Sequence, residues 1–432
     1  MDVDLLYGRG RLTVTLPAGV EATVIRKPAL PVIADVPGAV AEALAGLAGL
    51  AYGRRSASIV ICDITRPVPN RVFLRPMIET LLAAGIPAEA ITVLVATGLH
   101  RPGDAAELKE LVGHDQWVLD HARFVFHSAR DPSSLVNLGF TPNRHVPVWL
   151  NRYLVEADLR IVTGLVEPHF MAGWSGGRKV VAPGVAGEQT IRTFHSAAFM
   201  EDPGAVECNL KANPLHEEQL AITRMLGEVY ALNTVIDEAR NLSFVNFGAI
   251  ESSHLAAVEF ARTYAVVPLP RRYASVVTSA AGYPLDKTFY QTVKGMVTVR
   301  DILAPGGTII IASEISEGFG SPEFRAAQQR LAALGPAGFL DSIRSKALAD
   351  VDEWQTEMEL KPLRAGRVEL YTGGLTAEER ADTGVHLIDS VEAAIAASVA
   401  RSGDTHVAIV PEGPYVVPVY EPQSTPRGRG PS

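Results

Sequence analysis

The sequence is poor in cysteine, with Cys62 and Cys208 the two among 432 residues. Two cysteines are too few for the disulfide framework of a small secreted protein or for a cysteine-based metal cluster. Aromatic residues make up 7% of the chain, charged residues 20% and apolar residues 47%, an ordinary globular composition that disfavours wholesale disorder and a coiled coil. The scarcity of cysteine predicts a protein of a reducing compartment, the cytoplasm.

Long apolar runs and an excess of basic residues are also absent. No stretch reaches the roughly 18 apolar residues of a membrane span, and the segment MDVDLLYGRG lacks the basic start and apolar core of a signal peptide. The net charge of −9 at pH 7 repels nucleic-acid backbones and anionic lipid. We therefore expect no nucleic-acid or membrane partner, and a small-molecule ligand held in a locally basic pocket if it is an anion.

Short β-rich runs recur along the chain, and each ends in a polar or glycine-rich turn. The runs are SIVICDITRP, ITVLVATGLHRP, LRIVTGLVEPH, SVVTSAAGYP, GTIIIASEISEG and HVAIVPEG. Helix-like stretches lie between them, among them Arg71–Ala84, Glu217–Met225 and Pro322–Leu334. This alternation predicts an α/β fold with doubly wound, mostly parallel sheets, in which ligands bind at the carboxyl ends of the strands.

The length predicts two or three domains. The prolines and the charged residues of VVPLPRR, at residues 266–272, indicate a linker. We expect an N-terminal cofactor-binding α/β domain over 1–265, completed by about 404–422, and a C-terminal substrate-side α/β domain over 272–400. The segment 423–432 is rich in proline, glycine and serine, which predicts a disordered tail.

Two polar clusters directly follow β-rich runs. In DITRPVP, Arg66 can bind a phosphate or a carboxylate through two parallel hydrogen bonds. In TGLHRP, His100 can act as a general acid or base near neutral pH. The structural alternatives are a capped turn with a surface ion pair for the first cluster and a polar surface histidine for the second.

A third cluster, EPHFMAGWSGGRK at residues 167–179, combines glycines with Ser175, Arg178 and Lys179. Such a loop lets backbone approach a ligand closely and supplies anion-binding groups. It does not match the Walker pattern because Val180 follows the lysine, and a structural glycine turn is the alternative. His195, in FHS, follows 16 residues after Lys179; a buried histidine satisfied by one hydrogen bond is the commoner case.

A fourth cluster, DKTFYQTVKG, predicts a helix with Gln291 and Lys294 three residues apart and Tyr290 four residues before the lysine. One helical face then presents an amide and an ammonium together. A solvated helix face is the alternative.

The order of these motifs, DITRPVP, TGLHRP, EPHFMAGWSGGRK, FHS, YQTVK and then Trp354-Gln355, resembles the nickel-dependent lactate racemase family over most of the chain. This resemblance implies a racemase or epimerase of 2-hydroxy acids. It also implies a nickel pincer nucleotide, Ni(II)-pyridinium-3,5-bisthiocarboxylic acid mononucleotide, and transient contact with the proteins that synthesise it. Lactate, malate, an aromatic hydroxy acid and an aldonic acid all fit as substrates.

The resemblance also implies roles for single residues. His100 and His169 are the expected catalytic pair, Lys179 the covalent attachment point of the nucleotide, and His195 the nickel ligand. The expected cofactor contacts are Asp63, Ile64, Thr65, Arg66, Ser175, Gly176, Gly177, Arg178 and Lys179. The expected substrate contacts are Arg66, Tyr290, Gln291, Lys294 and Trp354.

The chemistry gives a reason for two histidines. The C2 hydrogen of a 2-hydroxy acid is hard to remove as a proton, whereas it can leave as hydride once a base removes the hydroxyl proton. Return of hydride to the other face of the planar keto acid needs a second proton donor.

We expect the active site in the cleft between the two domains. The rival hypotheses are a metal-dependent hydrolase, which needs three protein ligands, and a non-catalytic nucleotide-binding module.

Overall fold

The computed structural model describes residues 1–422, and the predicted tail at 423–432 lies outside the described residues. The described strands are β1 (Asp2–Tyr7), β2 (Gly10–Thr15), β3 (Glu21–Val24), β4 (Ala57–Cys62), β5 (Ile91–Ala96), β6 (Arg123–Phe126), β7 (Leu135–Phe140), β8 (Pro147–Asn151), β9 (Leu159–Leu165), β10 (Pro168–His169), β11 (Gly173–Trp174), β12 (Tyr230–Ile236), β13 (Leu242–Ala249), β14 (Val266–Leu269), β15 (Tyr273–Ser279), β16 (Leu303–Ala312), β17 (Arg367–Tyr371), β18 (His386–Ile388), β19 (His406–Val410) and β20 (Val417–Tyr420). The described α-helices are α1 (Val36–Ala43), α2 (Leu47–Ala51), α3 (Asn70–Ala83), α4 (Ala105–Leu111), α5 (Gln116–Asp120), α6 (Arg152–Val155), α7 (Arg178–Val181), α8 (Glu188–Phe194), α9 (Ala197–Met200), α10 (Pro214–Met225), α11 (Ile250–Ala265), α12 (Phe289–Thr298), α13 (Pro322–Ile343), α14 (Glu353–Ala365), α15 (Ala377–Asp382) and α16 (Val391–Ser402).

One compact unit comprises Ala29–Tyr264 and Lys346–Ala349. Its main sheet has the strand order β13-β12-β9-β4-β5-β6, parallel throughout except for the antiparallel pair β12 and β13. The apolar side chains of β4 and β5 pack against α2 and α3 in a core that includes Ile59, Phe73 and Val93. Strands buried on both faces read as continuous apolar runs, which is why SIVIC and ITVLVA are recognisable in the sequence.

The second unit comprises Met1–Pro28, Ala265–Ser345 and the chain from Asp350 onward. Its main sheet has the order β18-β17-β16-β15-β19-β3, and every neighbouring pair is parallel. The β1–β2 hairpin and α16 cover one face, where side chains of the hairpin and of β15, β16 and β19 share a core. The predicted class, α/β with mostly parallel sheets in two units, is confirmed.

The domain bounds differ from the prediction in two places. The predicted N-terminal domain includes residues 1–28 and 404–422, whereas β3 pairs with β19 and β19 pairs with β15 in the second unit. Strand pairing between segments far apart in sequence leaves no local signal, so the sequence did not reveal it. The predicted linker at 266–272 is also corrected, since its first residues form β14, which pairs in parallel with β20.

The helices agree with the predicted stretches at their centres and differ at their ends. The stretch predicted at Pro322–Leu334 continues as α13 to Ile343, across a kink where Gly335 has a φ of 69°. Pro336 follows that glycine, and a proline removes a backbone donor and interrupts a regular helix. No helix within residues 1–422 has the length and apolar composition needed to cross a bilayer.

Candidate functional site

The carboxyl ends of three neighbouring parallel strands bring the first three motifs together. β4 lies between β5 and β9, with Cys62 opposite Ala96 in the register. Asp63 therefore directly follows β4 beside the turn that carries His100 after β5. His169 comes four residues after the end of β9, on the other side of β4. The structure thus places both predicted catalytic histidines at the strand edge where such sheets bind ligands.

Asp63 and His100 form a hydrogen-bonded pair. His100 Nδ1 lies 2.7 Å from Asp63 Oδ2, and the Asp63 side chain is 12% exposed while that of His100 is 59% exposed. Burial alone would raise the pKa of the Asp63 carboxyl, but hydrogen bonds from His100 and Thr65 and the charges of His100 and Arg66 outweigh it and lower this pKa. The carboxyl is therefore ionised at neutral pH.

The turn after β4 was predicted to contact the cofactor, but the carboxylate of Asp63 forms hydrogen bonds within the protein instead. Asp63 Oδ1 accepts hydrogen bonds from Thr65 Oγ1 at 2.6 Å and from Thr65 N at 3.3 Å. Both carboxylate oxygens of Asp63 are thus engaged within the protein, so this side chain orients His100 rather than facing a cofactor. Arg66 lies 3.6 Å from Glu167, with more than a third of each side chain exposed; Ile64 is also exposed.

His169 is held by its own hairpin. It pairs with Gly173 across the β10–β11 ladder, and its Nδ1 accepts backbone N–H bonds from Ala172 at 3.2 Å and from Met171 at 3.4 Å. A hairpin of this kind fixes the ring relative to β9 because the turn atoms themselves bind it. The environment of His169 therefore differs from that of His100, which faces a carboxylate.

The glycine loop packs against protein, as the alternative of a structural glycine turn predicts, and its contact with a ligand stays a prediction. A Cβ on Gly176 would lie 2.5 Å from Val166 Cγ2, and a Cβ on Gly177 would lie 3.1 Å from His254 Cβ. Both glycines have positive φ, of 80° and 46°. Ser175 Oγ is likewise used internally, because it donates to Leu165 O at 2.7 Å. These residues hold the loop against β9 and α11.

Arg178 is fully buried, so the structure contradicts its predicted role as a phosphate contact. Its Nη2 donates to the carbonyl oxygens of Ala172 and Trp174, at 3.0 and 3.1 Å, and its Nη1 lies 2.9 Å from His254 Nε2. Burial lowers the pKa of this guanidinium to about 9. The side chain therefore stabilises the loop through hydrogen bonds to its carbonyl oxygens and does not extend toward a bound anion.

The contact between β9 and the glycine loop leaves no room for a side chain, which gives a stability prediction. A Cβ on Gly164 would lie 2.7 Å from both Gly176 Cα and Gly177 N. We expect Gly164→Ala to destabilise the protein by about 1–3 kcal/mol, because backbone atoms cannot rotate away. Urea unfolding monitored by circular dichroism checks this. The matched control is Gly49→Ala in α2, where a Cβ meets nothing within 4 Å, and which is expected to be neutral or slightly stabilising; equal midpoints for the two variants would contradict the prediction.

Lys179 and His195 are electrostatic neighbours. Burial, helped by the charge of Lys179, lowers the pKa of His195 to about 4, although the hydrogen bond with Ile191 O opposes this shift. His195 caps the C-terminus of α8, and its Nδ1 lies 2.8 Å from Ile191 O. A carbonyl oxygen can only accept, so Nδ1 carries the proton and Nε2 carries the lone pair. A neutral imidazole with an oriented Nε2 is the form that binds a metal ion.

Lys179 also acts on the last residue of β4, Cys62. Burial raises the pKa of the Cys62 thiol to about 12, while the charges of Arg66 and Lys179 oppose this rise. The structure thus brings Lys179 into the same edge of the sheet as Asp63 and His195. Within residues 1–422, no three His, Cys, Asp or Glu side chains are placed to hold a metal ion together.

The four substrate residues predicted from the last motifs lie in the second unit. Tyr290, Gln291 and Lys294 occupy half-buried positions of α12, whose opposite side is buried. The Gln291 side-chain oxygen is buried and accepts no hydrogen bond within the described part of the chain. Trp354 is buried at the start of α14, and its neighbour Gln355 donates from Nε2 to Tyr290 O at 2.6 Å. This bond ties α14 to α12.

Sequence reasoning missed two residues that position the glycine loop. Asn233 Oδ1 accepts from Gly177 N at 3.0 Å, and His254 bonds Arg178 and lies 2.9 Å from Ser175 O. Asn233 interrupts the apolar run of β12, and a polar residue inside a buried strand is a usable signal. His254 lies on α11 with no neighbouring motif, so the sequence offers no signal for it.

Comparison with known families identifies the chain. The family models for the lactate racemase N-terminal domain and the lactate racemase C-terminal domain match residues 7–207 and 271–418. The chain belongs to the lactate racemase family. Lactate racemases are isomerases, so the chain is an enzyme of this class, and the resemblance inferred from the motifs is confirmed.

Two curated lactate racemases are similar in sequence to this chain over most of its length. The protein from Thermoanaerobacterium thermosaccharolyticum is 31% identical over 376 residues, which cover 86% of this chain and 86% of that protein. The protein from Lactiplantibacillus plantarum is 32% identical over 372 residues, which cover 85% of this chain and 86% of that protein. Lactate racemase family membership therefore extends over both units.

Solved structures agree with this assignment. The structure of the lactate racemase apoprotein from Thermoanaerobacterium thermosaccharolyticum superposes with a TM-score of 0.86 at 28% identity, covering 97% of this chain and all of that chain. A crystal structure of a Thermotoga maritima protein superposes with a TM-score of 0.66 at 18% identity, covering 89% of this chain and 98% of that one. The second likeness concerns the fold alone.

Proposed function

We propose that this enzyme interconverts the two configurations at C2 of a 2-hydroxy acid, with a nickel pincer nucleotide attached at Lys179. The observation that carries this proposal is His195, whose Nδ1 proton is directed at Ile191 O and whose ring lies within electrostatic reach of Lys179. Membership of the lactate racemase family supports the racemase class, and the names of its relatives favour lactate as the first substrate to test. Malate, aromatic hydroxy acids and aldonic acids belong to the same proposed class.

The residues present fit this nucleotide. Imidazole nitrogen suits nickel, and the nucleotide would bring its own sulfur and carbon donors, so a single protein nitrogen would be enough to complete the donor set. His195 has its lone pair on Nε2 and its proton fixed on Nδ1 by Ile191 O, so it meets that need alone. When bound, the nucleotide supplies a reversible hydride acceptor. The exposed turn of Ile64, Thr65 and Arg66 is the proposed contact of its phosphate.

His100 and His169 handle the hydroxyl proton. His100 accepts it at Nε2 from one enantiomer, because its Nδ1 is bonded to Asp63. Loss of hydride from C2 makes this carbon planar, and a proton donor on the other face must then serve the opposite enantiomer. His169, on the hairpin after β9, is the proposed group for that face.

The substrate carboxylate needs a local cation in a chain of net charge −9. Arg66 has 38% of its side chain exposed and a loose 3.6 Å contact to Glu167, which leaves its guanidinium able to bind an anion. Lys294 and Gln291, on one side of α12, are the other proposed carboxylate contacts, and Tyr290 and Trp354 are proposed to line the space around the substrate.

The proposed compartment is the cytoplasm. The proposed partners are this small molecule and the cofactor-synthesis proteins, and no nucleic acid or membrane takes part.

Mass spectrometry tests this proposal against its two rivals. The protein is produced in a host that makes the nucleotide and analysed as intact chain and as peptides. We expect a covalent adduct that maps to the peptide containing Lys179. An unmodified chain that nevertheless retains metal and hydrolyses esters would favour the metal-dependent hydrolase. An unmodified chain that binds mononucleotides without turnover would favour the nucleotide-binding module.

His195→Ala should lose nickel while keeping the Lys179 adduct. The reason is that the histidine binds the metal whereas the lysine holds the organic part, so the two attachments are separable. Elemental analysis beside intact-mass measurement reads both. His127→Ala is the control, since His127 is also buried and its Nε2 bonds Ala186 O at 2.9 Å; equal nickel in His195→Ala and the parent protein would remove His195 from the metal shell.

A further inference from the structure

The hydrogen-bond partners of His100 and His169 determine where each neutral ring carries its proton. Asp63 is an ionised carboxylate and can only accept, so His100 must carry its proton on Nδ1, 2.7 Å from Asp63 Oδ2. This leaves the lone pair on Nε2.

His169 is in the opposite state. A backbone N–H can only donate, so the amides of Ala172 and Met171, at 3.2 and 3.4 Å, require a lone pair on His169 Nδ1. The proton of the neutral ring is then on Nε2. The two amides therefore fix the tautomer of the neutral His169 ring, and it is the opposite of the tautomer at His100.

We propose that the two histidines are unequal in the resting enzyme, with His100 poised as the proton acceptor and His169 as a hydrogen-bond donor, and that Asp63 is the positioning residue that sets this difference. This inference rests on the proposed function. In the step concerned, the O–H bond of the substrate hydroxyl breaks and an N–H bond forms at His100 Nε2. The enantiomer whose hydroxyl faces His100 therefore reacts directly, whereas the other waits until the His169 ring leaves its two amide bonds.

The variant Asp63→Asn tests this geometry with almost no change of shape. Thr65 N, an obligate donor, bonds Oδ1 of the native side chain, so the asparagine oxygen stays with Thr65 and the NH₂ group faces His100. An NH₂ group donates to Nδ1, which moves the ring proton to Nε2 and removes the acceptor. Asp120→Asn, at an exposed aspartate that bonds Gln116 on α5, is the matched control.

Two readouts decide the outcome. The first is long-range ¹H–¹⁵N spectroscopy of the full-length chain, labelled at histidine, at about pH 8.5, two units above the ordinary histidine pKa. Signals are assigned with His100→Gln and His169→Gln. We expect the Nδ1–H form at His100 and the Nε2–H form at His169 in the parent and in Asp120→Asn, and the Nε2–H form at both in Asp63→Asn. The same form at both histidines of the parent would overturn the proposal, with or without activity.

The second readout is single-turnover formation of keto acid from each pure enantiomer by the nucleotide-loaded enzyme. We expect Asp63→Asn to slow one enantiomer by roughly 10²–10⁴-fold, the effect of losing a general base, and the other by less than about twofold. Equal slowing of both enantiomers would contradict an effect through His100. A parent enzyme without turnover on any 2-hydroxy acid would refute the proposed function instead, and the spectra of the unloaded chain would still decide the positioning role.

Discussion

His100→Ala and His169→Ala are each expected to lower the rate of racemisation by about 10²–10⁴-fold, the usual cost of losing one general acid or base. Each histidine serves one face of the keto acid, so loss of either blocks the complete exchange. A polarimetric or chiral-chromatographic assay from each pure enantiomer measures this loss.

The comparison needs a histidine outside the site. His121→Ala is the control, since His121 stacks on Trp117 of α5 with ring centroids 4.1 Å apart. We expect it to keep the parental rate. Parental rates in both His100→Ala and His169→Ala would refute their assignment, and a loss in one of them alone would mean that a single base serves both faces.

Lys179→Ala is expected to abolish turnover and the covalent adduct together. The substitution removes the attachment point of the nucleotide, whereas a lysine at the start of the short helix α7 contributes little to the core. Substitutions of this kind usually change the free energy of unfolding by less than about 0.5 kcal/mol. Circular dichroism and unfolding midpoints verify the fold, and intact mass verifies the loss of the adduct.

Lys109→Ala is the matched control for this lysine. Lys109 lies on the exposed side of α4, so we expect its variant to keep both the adduct and the activity. Retained turnover in Lys179→Ala would refute covalent attachment at this position. A variant that fails to fold would show instead that the lysine is structural.

Much of the fold was predictable because its central strands are buried on both faces. Continuous apolar runs such as those of β4, β5 and β9 have no other plausible place in a protein of this size, and the turns after them carry Asp63 and His100 as predicted. The membership of β3 and β19 in one sheet was not predictable, because it depends on pairing between residues 21–24 and 406–410.

The glycine loop indicated Lys179 as an anion-binding candidate, whereas the roles of His169 and His195 were implied by the family resemblance and stay predictions. Spacing does not reveal the direction of a side chain, however. Arg178 reads as an anion contact in the sequence, yet it turns inward and bonds two carbonyl oxygens.

The same limit applies to Asp63. Its position after a strand is compatible with a cofactor contact, and the three-dimensional neighbour that defines its role, His100, lies 37 residues away in sequence. A hydrogen bond between two turns depends on strand order, and β4 and β5 had to be placed side by side before this bond could be seen. Strand order is therefore the information that the sequence lacked for this site.

The most direct test of the proposed chemistry follows a deuterium atom. The nucleotide-loaded enzyme is given one enantiomer of lactate, or of the 2-hydroxy acid that it converts fastest, labelled with deuterium at C2 in ordinary water. Removal as hydride keeps the label away from solvent, because the hydrogen never becomes an exchangeable proton. We predict that the product enantiomer retains deuterium at C2, as measured by mass spectrometry after chiral separation; replacement of the label by solvent hydrogen at the rate of racemisation would contradict hydride transfer and indicate a carbanion instead.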